Sequence, residues 1–225
     1  MSQRTKFIVQ LLVLWLPWGL RRRLLNLLPG FELAPGSRMG LSIAAVDEFR
    51  MGPGARIAHL TLLKGLCRVE LGACASIGRG NWITGFPLIE SKHFAHLPHR
   101  RPQLLMDAHS AITNRHIIDC TDTVTIGAFA TFAGFRSQIL THSIDICEGR
   151  QTARPVSIGA YSFVGTGVVL LPGSALPNHS VLAAGSVLHK AHEEPYRLYA
   201  GNPAVIRSTL DDQARYFLRE QGFVH

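Results

Sequence analysis

Two short segments of the 225-residue chain place a histidine three residues before an aspartate. They are "NRHIID", with His116 and Asp119, and "LTHSID", with His142 and Asp145. A histidine with a pKa of about 6.5 can accept a proton from a hydroxyl group at neutral pH and later protonate a leaving group. A carboxylate beside it can hold the imidazole in one tautomer. The two segments are therefore candidates for general acid–base chemistry.

The overall composition narrows the possible partners. Apolar residues make up 47% of the chain and charged residues 17%, which predicts a substantial core. The net charge of +8 favours an anionic partner, such as a phosphorylated cofactor or a membrane surface. The basic residues are scattered and no aromatic residues alternate with them, so we expect no nucleic-acid binding.

Neither the cysteines nor the histidine-rich segment has the spacing of a metal site. The four cysteines are Cys67, Cys74, Cys120 and Cys147. They form no C-x-x-C pair, and we expect small buried side chains in a reducing compartment. His93, His96 and His99 are spaced unlike metal ligands and are expected in a surface loop. No metal site is predicted.

An aliphatic residue recurs at every sixth position towards the C-terminal end. The positions are Ile158, Val164, Leu170, Leu176, Leu182 and Leu188. A period of six fits neither a helix, which repeats at 3.6, nor a flat strand, which repeats at 2. It fits a backbone that turns a corner every six residues, with the aliphatic side chain pointing into a narrow interior and glycine favoured where φ is positive.

The same period extends upstream, with slips of register between its runs. Its positions are Met51, Ile57, Leu63, Leu71, Ile77, Ile83, Ile89, Met106, Ile112, Ile118, Ile126 and Phe132. The sequence therefore predicts an all-β fold, a parallel β-helix over residues 38–190. A helical segment precedes it at 1–37, and a closing segment with a helix in "LDDQARYFLREQ" follows at 191–225. Two interruptions, 90–103 and 138–155, are expected to be loops on the binding side.

The N-terminal segment contains an apolar-rich run over residues 7–20, followed by three arginines. The run is shorter than the roughly 20 residues that a spanning helix needs. No small-residue cleavage site follows it, so a secretory signal fits poorly. Two interpretations stay open: an amphipathic element in the membrane interface, over about residues 5–28, or a helix packed on the protein body or a neighbouring subunit.

Three motifs give the sequence a family resemblance. They are "VTIGAFATFAG" followed by "LTHSID", the hexapeptide run "VSIGAYSFVGTGVVLLPGSALPNHSVLAAGSVL", and "YAGNPAVIR". Together they resemble the hexapeptide-repeat acyltransferases, particularly the sugar and polysaccharide O-acetyltransferases. The resemblance covers about residues 105–207 and implies a left-handed β-helix, a homotrimer, and acetyl-CoA bound between adjacent subunits.

The resemblance also implies roles for individual residues. His142 corresponds to the family's histidine and is the expected general base. Asp145, or Asp122 on a neighbouring coil, is expected to hold its imidazole. His116, with Asp119 and Asn114, is expected to line the acceptor pocket, although a structural role for His116 stays open.

Acetyl-CoA is the expected acyl donor, and its expected contacts fall into four groups. Backbone amides near Gly165, Ala183 and Gly185 are expected to bind the pantetheine. Cationic side chains are needed at the phosphates. The remaining candidates are Arg154, Lys190 and Arg207 for those phosphates, Asn202 and Pro203 in the closing segment, and Phe163, where many members carry tryptophan.

The sequence therefore predicts an acetyl-CoA-dependent O-acetyltransferase that acts directly on a hydroxyl of a sugar or polysaccharide precursor. Alternatives on the same fold are an N-acetyltransferase of an amino sugar and a serine acetyltransferase. A non-catalytic β-helix scaffold and a zinc-dependent carbonic anhydrase are further alternatives. We expect the protein in the cytoplasm, with contact to the inner face of the membrane.

Overall fold

A computed structural model describes residues 1–88 and 92–222. The helices are α1 (Gln3–Val13) and α2 (Trp18–Leu25), and a single 3-10 turn spans Lys92–Phe94. The strands of the first half are β1 (Phe31–Leu33), β2 (Arg38–Met39), β3 (Ile43–Ala45), β4 (Glu48–Met51), β5 (Arg56–Ile57), β6 (Leu62–Lys64), β7 (Arg68–Leu71), β8 (Ser76–Ile77), β9 (Trp82–Thr84), β10 (Gln103–Met106), β11 (Ala111–Ile112) and β12 (Ile117–Asp119). Those of the second half are β13 (Val124–Ile126), β14 (Thr131–Phe132), β15 (Gln138–Ile139), β16 (His142–Asp145), β17 (Arg150–Ala153), β18 (Val156–Ile158), β19 (Phe163–Val164), β20 (Val169–Leu170), β21 (Ala175–Leu176), β22 (Val181–Leu182), β23 (Val187–Leu188), β24 (Arg197–Ala200) and β25 (Val205–Thr209).

The strands wind into a coil with three flat faces. The first sheet has the order β1-β4-β7-β10-β13-β18-β21, the second begins β2-β5-β8-β11-β14-β19-β22, and the third contains β3-β6-β9-β12-β15-β20-β23. Consecutive strands therefore lie on different faces, and each strand pairs in parallel with its counterpart one coil away. The predicted parallel β-helix is confirmed, and it begins at Phe31 rather than at residue 38.

The six-residue positions form the interior of the coil. Ile158 pairs with Leu176 and Val164 with Leu182, so equivalent side chains stack one coil above another. All of the predicted positions among the described residues are buried, and Ile89 lies outside them. Burying aliphatic side chains contributes roughly 1.5–3 kcal/mol each, which makes this column the main source of stability.

The expectation that glycine is favoured where φ is positive is confirmed at many corners, including Gly54, Gly134, Gly173 and Gly185, but glycine also has a second role. Gly159 follows an aliphatic position, and a Cβ there would lie 2.4 Å from the backbone nitrogen of Asn178 in the next coil. Close approach of neighbouring coils, rather than φ, therefore requires this glycine. At the corner between the first and second sheets, larger residues adopt φ of 53–59°. They are His109, Phe129, Tyr161, His179 and Tyr196, and their rings stack in one column.

The N-terminal helices cover the open end of the first coil. Lys6 donates hydrogen bonds to the carbonyls of Pro29, Val46 and Asp47, and the Gln10 amide pairs with the N–H and C=O of Ala44. The buried Arg21 binds the carbonyls of residues 40 and 42. Of the two interpretations left open for this segment, packing on the protein body is what the structure shows for these side chains. Within the described residues, no helix combines the length and apolarity needed to cross a bilayer.

The predicted C-terminal helix is wrong. After β25, the described residues up to 222 form turns closed by hydrogen bonds such as that from Phe217 N–H to the Ala214 carbonyl. Tyr216 and Phe217 pack against Phe163 and against the aromatic corner column, and Arg219 lies over the rings of that column and of Tyr216. These tertiary contacts hold the chain along the coil and override its helix-forming composition.

The cysteine expectation holds only in part. All four thiols are free; Cys120 is buried, Cys67 is half-buried, and Cys74 and Cys147 are exposed. The expectation is wrong for the last two because Cys74 occupies a corner with φ of 57° and Cys147 lies in the turn after β16.

Candidate functional site

Both insertions leave the coil at the same corner, between the third and first sheets. The first joins β9 to β10, and the second joins β15 to β18. The second is an antiparallel hairpin of β16 and β17, and not an irregular loop. The two insertions touch, because His96 Nε2 lies 2.8 Å from the carbonyl oxygen of Gln151 in the hairpin. They enclose a site on one edge of the molecule.

His142 is the first residue of the hairpin and is held by Asp119. Its Nδ1 lies 2.7 Å from Asp119 Oδ2, and its backbone N–H donates to the same oxygen over 3.0 Å. Asp119 ends β12 one coil below, so strand register brings the two together. The aspartate side chain is 12% exposed and the histidine 31%, which places the pair at the boundary between core and solvent.

The surroundings of Asp119 stabilise its charged form. Oδ1 accepts hydrogen bonds from the N–H and hydroxyl of Thr121, and Oδ2 from the N–H and hydroxyl of Thr141. Burial acts to raise the pKa of Asp119, but the hydrogen bonds from His142, Thr121 and Thr141 outweigh it and lower that pKa. A buried aspartate with this many donors remains a carboxylate at neutral pH.

The same contact fixes the chemistry of His142. The hydrogen bond to Asp119 raises the pKa of His142, against the lowering effect of burial and of nearby Arg100. Because Nδ1 donates its proton to a carboxylate, Nε2 of the neutral ring carries the lone pair. Nε2 has no hydrogen-bond partner among the described residues, so it can accept a proton from a molecule at the edge of the coil.

Two phenylalanines from the first insertion pack edge-on against His142. The ring centroids of Phe86 and Phe94 lie 5.5 and 6.1 Å from that of the imidazole. Phe94 is buried, whereas Phe86 is 39% exposed and offers an apolar surface beside the histidine. The first insertion therefore forms one wall of the site. His93, which stacks edge-on against Phe86, and His96 and His99 are exposed as expected.

Arg100 holds this wall in place. Its guanidinium donates to the carbonyls of Phe86 and Thr121, both over 2.6 Å, and lies over the Phe94 ring with 4.6 Å to the centroid. Thr121 also donates to Asp119, so one buried arginine connects the aromatic wall to the aspartate. Burial lowers the pKa of Arg100, against the raising effect of nearby aspartates.

His116 does not line the acceptor pocket as expected. It is 1% exposed, its Nδ1 accepts a hydrogen bond from Ser137 N–H, and its Nε2 lies 3.0 Å from the Thr113 hydroxyl. Burial lowers its pKa to about 4. The ring packs on Phe132 inside the coil, so His116 is a neutral core residue.

The other predicted partners of the histidines also lie elsewhere. The Asp145 carboxylate accepts from the N–H groups of Cys147 and Glu148 in the hairpin turn, and not from His142. Asp122 accepts from Arg101 N–H and Thr123 N–H. Asn114 is at the corner between the second and third sheets, where its Oδ1 accepts from Arg79 N–H. Of the predicted acceptor residues, only Asp119 reaches His142.

The residues predicted for acetyl-CoA fall in four places. Gly165, Ala183 and Gly185 lie at the corner between the second and third sheets. Arg154 follows the hairpin and Lys190 follows β23, both at the corner that carries His142. Asn202, Pro203 and Arg207 belong to the closing β24–β25 hairpin, whose turn lies beside β23 because Ala204 N–H donates to the Val187 carbonyl. Phe163 faces outward on the second sheet against Tyr216.

Sequence reasoning missed Arg100, Phe86, Phe94 and the role of Asp119 in holding His142. One signal was available for the aspartate. Ile118 and Ile139 are consecutive interior positions on the third sheet, so Asp119 must lie next to the chain that leads into His142. Nothing comparable marks Arg100, because its contacts depend on how the first insertion folds back.

No protein-family model matches the chain. Over 66 residues it is 36% identical to a provisionally named acetyltransferase of Staphylococcus aureus (strain MRSA252), and over 74 residues 39% identical to one of Saccharomyces cerevisiae (strain ATCC 204508 / S288c). These alignments cover 29% and 31% of this chain and 33% and 37% of the relatives. The chain thus matches about a third of the length of these relatives.

Solved structures are similar over most of the chain. The polysialic acid O-acetyltransferase OatWY matches with a TM-score of 0.51 and 17% identity over 80% of this chain and 84% of its own. A hexapeptide transferase family protein from Anaplasma phagocytophilum matches at 0.50 and 18%, over 84% and 82%. A mutant of an N-acyltransferase from Bacillus cereus, in complex with dTDP and coenzyme A, matches at 0.50 and 10%, over 85% and 89%. At these identities the similarity establishes a hexapeptide-repeat fold.

Proposed function

We propose that this protein is an acyltransferase that moves the acetyl group of acetyl-CoA to a hydroxyl of a sugar or polysaccharide precursor. The observation that carries the proposal is the His142–Asp119 pair at a corner of a hexapeptide-repeat coil, where the histidine side chain is 31% exposed. The curated relatives named as acetyltransferases, and the O-acetyl- and N-acyltransferases among the structural neighbours, support the same reaction class.

The transfer needs no covalent enzyme intermediate. Nε2 of His142 accepts the hydroxyl proton as the hydroxyl oxygen attacks the thioester carbonyl. When the tetrahedral intermediate collapses, the C–S bond breaks, and the imidazolium returns its proton to the departing thiolate of CoA. Asp119 holds the imidazole in the required tautomer and stabilises the imidazolium between the two steps. The products are the acetyl ester of the acceptor and free CoA.

The aromatic wall suits a sugar acceptor. Phe86 presents an exposed ring beside His142, and sugars carry an apolar C–H face that packs on aromatic rings. The exposed His93, which contacts Phe86, and His96, which contacts the hairpin, provide polar groups around it. We propose that the acceptor lies between the first insertion and Nε2, away from Asn114 and His116.

In a homotrimer of left-handed coils, a neighbouring copy would complete the donor site. The outward positions of the third sheet are mostly apolar, and Trp82 and Ile117 are more than half exposed there. If copies pack through this face, the corner with His142 on one copy approaches the corner with Gly165, Ala183 and Gly185 on the next. Acetyl-CoA would lie in that groove, with Arg154, Lys190 and Arg207 near its phosphates and the Asn202–Pro203 turn and Phe163 nearby.

The first experiment measures thiol release from acetyl-CoA with purified wild-type protein and His142→Ala, against a panel of sugars and amino sugars. We expect slow turnover that one hydroxyl acceptor stimulates and that the variant loses. His99→Ala, which changes an exposed histidine of the first insertion, is the matched control. Stimulation by the amine of an amino sugar alone would replace the O-transfer proposal by N-transfer. A folded protein without turnover or CoA binding would favour a scaffold.

We propose that the protein acts in the cytoplasm, where acetyl-CoA is supplied.

A further inference from the structure

The N-terminal helices bury several polar side chains and expose several large apolar ones. On α1, Lys6 and Gln10 are buried, whereas Ile8 and Leu12 are 57% and 78% exposed. A surface helix of a globular protein normally shows the opposite pattern. The inversion continues beyond α1, where Trp15 is 80% exposed and Arg21 of α2 is buried.

The inward half of this pattern has a structural explanation. The first coil has no coil before it, so the backbone N–H and C=O groups of its edge need hydrogen-bond partners. Gln10 supplies both kinds of partner to Ala44 in β3, and Lys6 and Arg21 bind further carbonyls of that coil. Lys6, Gln10 and Arg21 therefore face inward because they bind backbone groups of the first coil, and Leu25 packs beside them in the apolar core.

The outward half has no such explanation inside the molecule. Seven exposed large apolar side chains lie between residues 8 and 27 and form what we term the N-terminal apolar face. They are Ile8, Leu11, Leu12, Trp15, Leu16, Leu20 and Leu27. Exposed apolar residues that occur singly are ordinary, but a contiguous group in so short a segment marks an interaction surface.

Charge identifies the partner. The first 31 residues contain Arg4, Lys6 and Arg21–Arg23 and no aspartate or glutamate. Arg4 and Arg23 are exposed beside the apolar residues. A second copy docking through the same face would bring these cations together, which disfavours it. An anionic lipid surface accepts the apolar residues in its acyl boundary and the arginines at its headgroups.

We propose that the N-terminal apolar face binds the surface of an anionic lipid bilayer. Leu12 and Trp15 enter the acyl boundary, and Arg4 and Arg23 contact the headgroups. The body of the coil then stands on the membrane on its N-terminal end. The site around His142 lies about four coils away, which is roughly 20 Å at the usual strand spacing, so it remains accessible from water.

The test is co-flotation of the full chain with vesicles of phosphatidylcholine, with and without about one third phosphatidylglycerol. We expect binding to the anionic vesicles only. Leu12→Glu/Trp15→Glu should lower the bound fraction at least tenfold, and Arg4→Glu/Arg23→Glu severalfold. Leu218→Glu, at a leucine of comparable exposure on the C-terminal tail, is the control and should bind as the wild type does.

A second measurement needs no destabilising variant. Brominated phosphatidylcholine in the anionic vesicles should quench the tryptophan fluorescence of the wild type, and Trp15→Phe should remove most of that quenching. Equal binding of the wild type and Leu12→Glu/Trp15→Glu would overturn the proposal. So would a larger molecular mass for the wild type than for that variant without vesicles, because the face would then bind another copy. Thiol release with a soluble acceptor should be unchanged in Leu12→Glu/Trp15→Glu, so this proposal and the proposed function fail separately.

Discussion

His116 and His142 begin from the same short pattern, a histidine three residues before an aspartate, and reach opposite environments. His116 lies inside the coil, 1% exposed, with its pKa lowered to about 4 by burial. His142 stands at a corner where an insertion begins, and its hydrogen bond to Asp119 raises its pKa. The chemistry of a histidine in this fold therefore depends on where it lies in the coil, and Asp119 from the first segment serves the histidine of the second.

The largest expected effect comes from removing the base. His142→Ala should lower kcat for acetyl transfer about a thousandfold, because a positioned general base contributes about 10²–10⁴-fold. Thiol release at saturating acetyl-CoA measures it. Its melting temperature should stay close to that of the wild type because the side chain lies at the edge of the core. Unchanged turnover would contradict the role of His142.

Asp119→Asn should lower kcat about a hundredfold, because the carboxamide cannot stabilise the imidazolium and permits the wrong tautomer. The acceptor KM should change less than kcat. Asp145→Asn is the matched control, since Asp145 bonds only to its own turn. If Asp145→Asn proved the more damaging change, the assignment of the orienting carboxylate would be wrong.

His116→Phe tests the other half of the comparison. It leaves the buried Ser137 N–H without its partner, which costs about 2 kcal/mol and lowers the melting temperature by roughly 4–8 °C. At a temperature where the variant is folded, kcat should remain within about twofold of the wild type. A loss of kcat without a loss of stability would show that His116 takes part in the reaction.

The two histidines should also give opposite pH dependences of stability. The unfolded chain protonates His116 near pH 6.5 and the folded protein only near 4, so up to about 3 kcal/mol of stability is lost as the pH falls between these values. The raised pKa of His142 adds stability below pH 6.5, which is lost as the pH rises through its folded value. Urea titrations of wild type, His116→Phe and His142→Ala at several pH values separate the two contributions. The loss of unfolding free energy as the pH falls from 6.5 to 4 should become smaller only in His116→Phe.

Phe86→Ala should raise the acceptor KM about tenfold with little change in kcat, because the ring forms the wall beside the base without reaching the reacting atoms. Leu218→Ala removes an exposed apolar side chain of the C-terminal tail, outside the proposed donor and acceptor sites, and is the control. Equal acceptor KM values for the two variants would show that the acceptor does not contact the aromatic wall.

The smallest expected effect is on the pH profile of kcat/KM. Activity needs neutral His142, so it should rise with pH through a value above the usual histidine pKa. Because the hydrogen bond to Asp119 is the main cause of that raised value, the rising limb should move to lower pH in Asp119→Asn. A limb that does not move would mean that another group titrates.

The parts of the molecule that depend on local repetition could be predicted from sequence, and those that depend on contacts between insertions could not. Leu170 and Leu188 recur because each coil must place an aliphatic side chain over the one below. The partner of His142 depends on a strand register that slips between coils, so the sequence pointed to Asp145 or Asp122 and not to Asp119. Arg100 binds the carbonyls of Phe86, 14 residues before it, and Thr121, 21 residues after it, and no periodicity specifies these contacts.

The prediction of a helix after β25 was wrong for a related reason. Its composition favours a helix, but Tyr216 and Phe217 pack on rings contributed by distant coils. Tertiary contacts then set the backbone, and propensity is a weak guide where they do.

The hydrogen bonds of Lys6, Gln10 and Arg21 to the first coil also bear on assembly. The repeat itself does not limit the number of coils. The strands at each end of the coil have unpaired backbone N–H and C=O groups, and if these are uncovered they can pair with a strand of a second molecule. The side-chain amide and cations of the N-terminal helices occupy those backbone groups and end the ladder. By covering this end, the helices oppose head-to-tail addition of a second coil and so oppose growth into a filament.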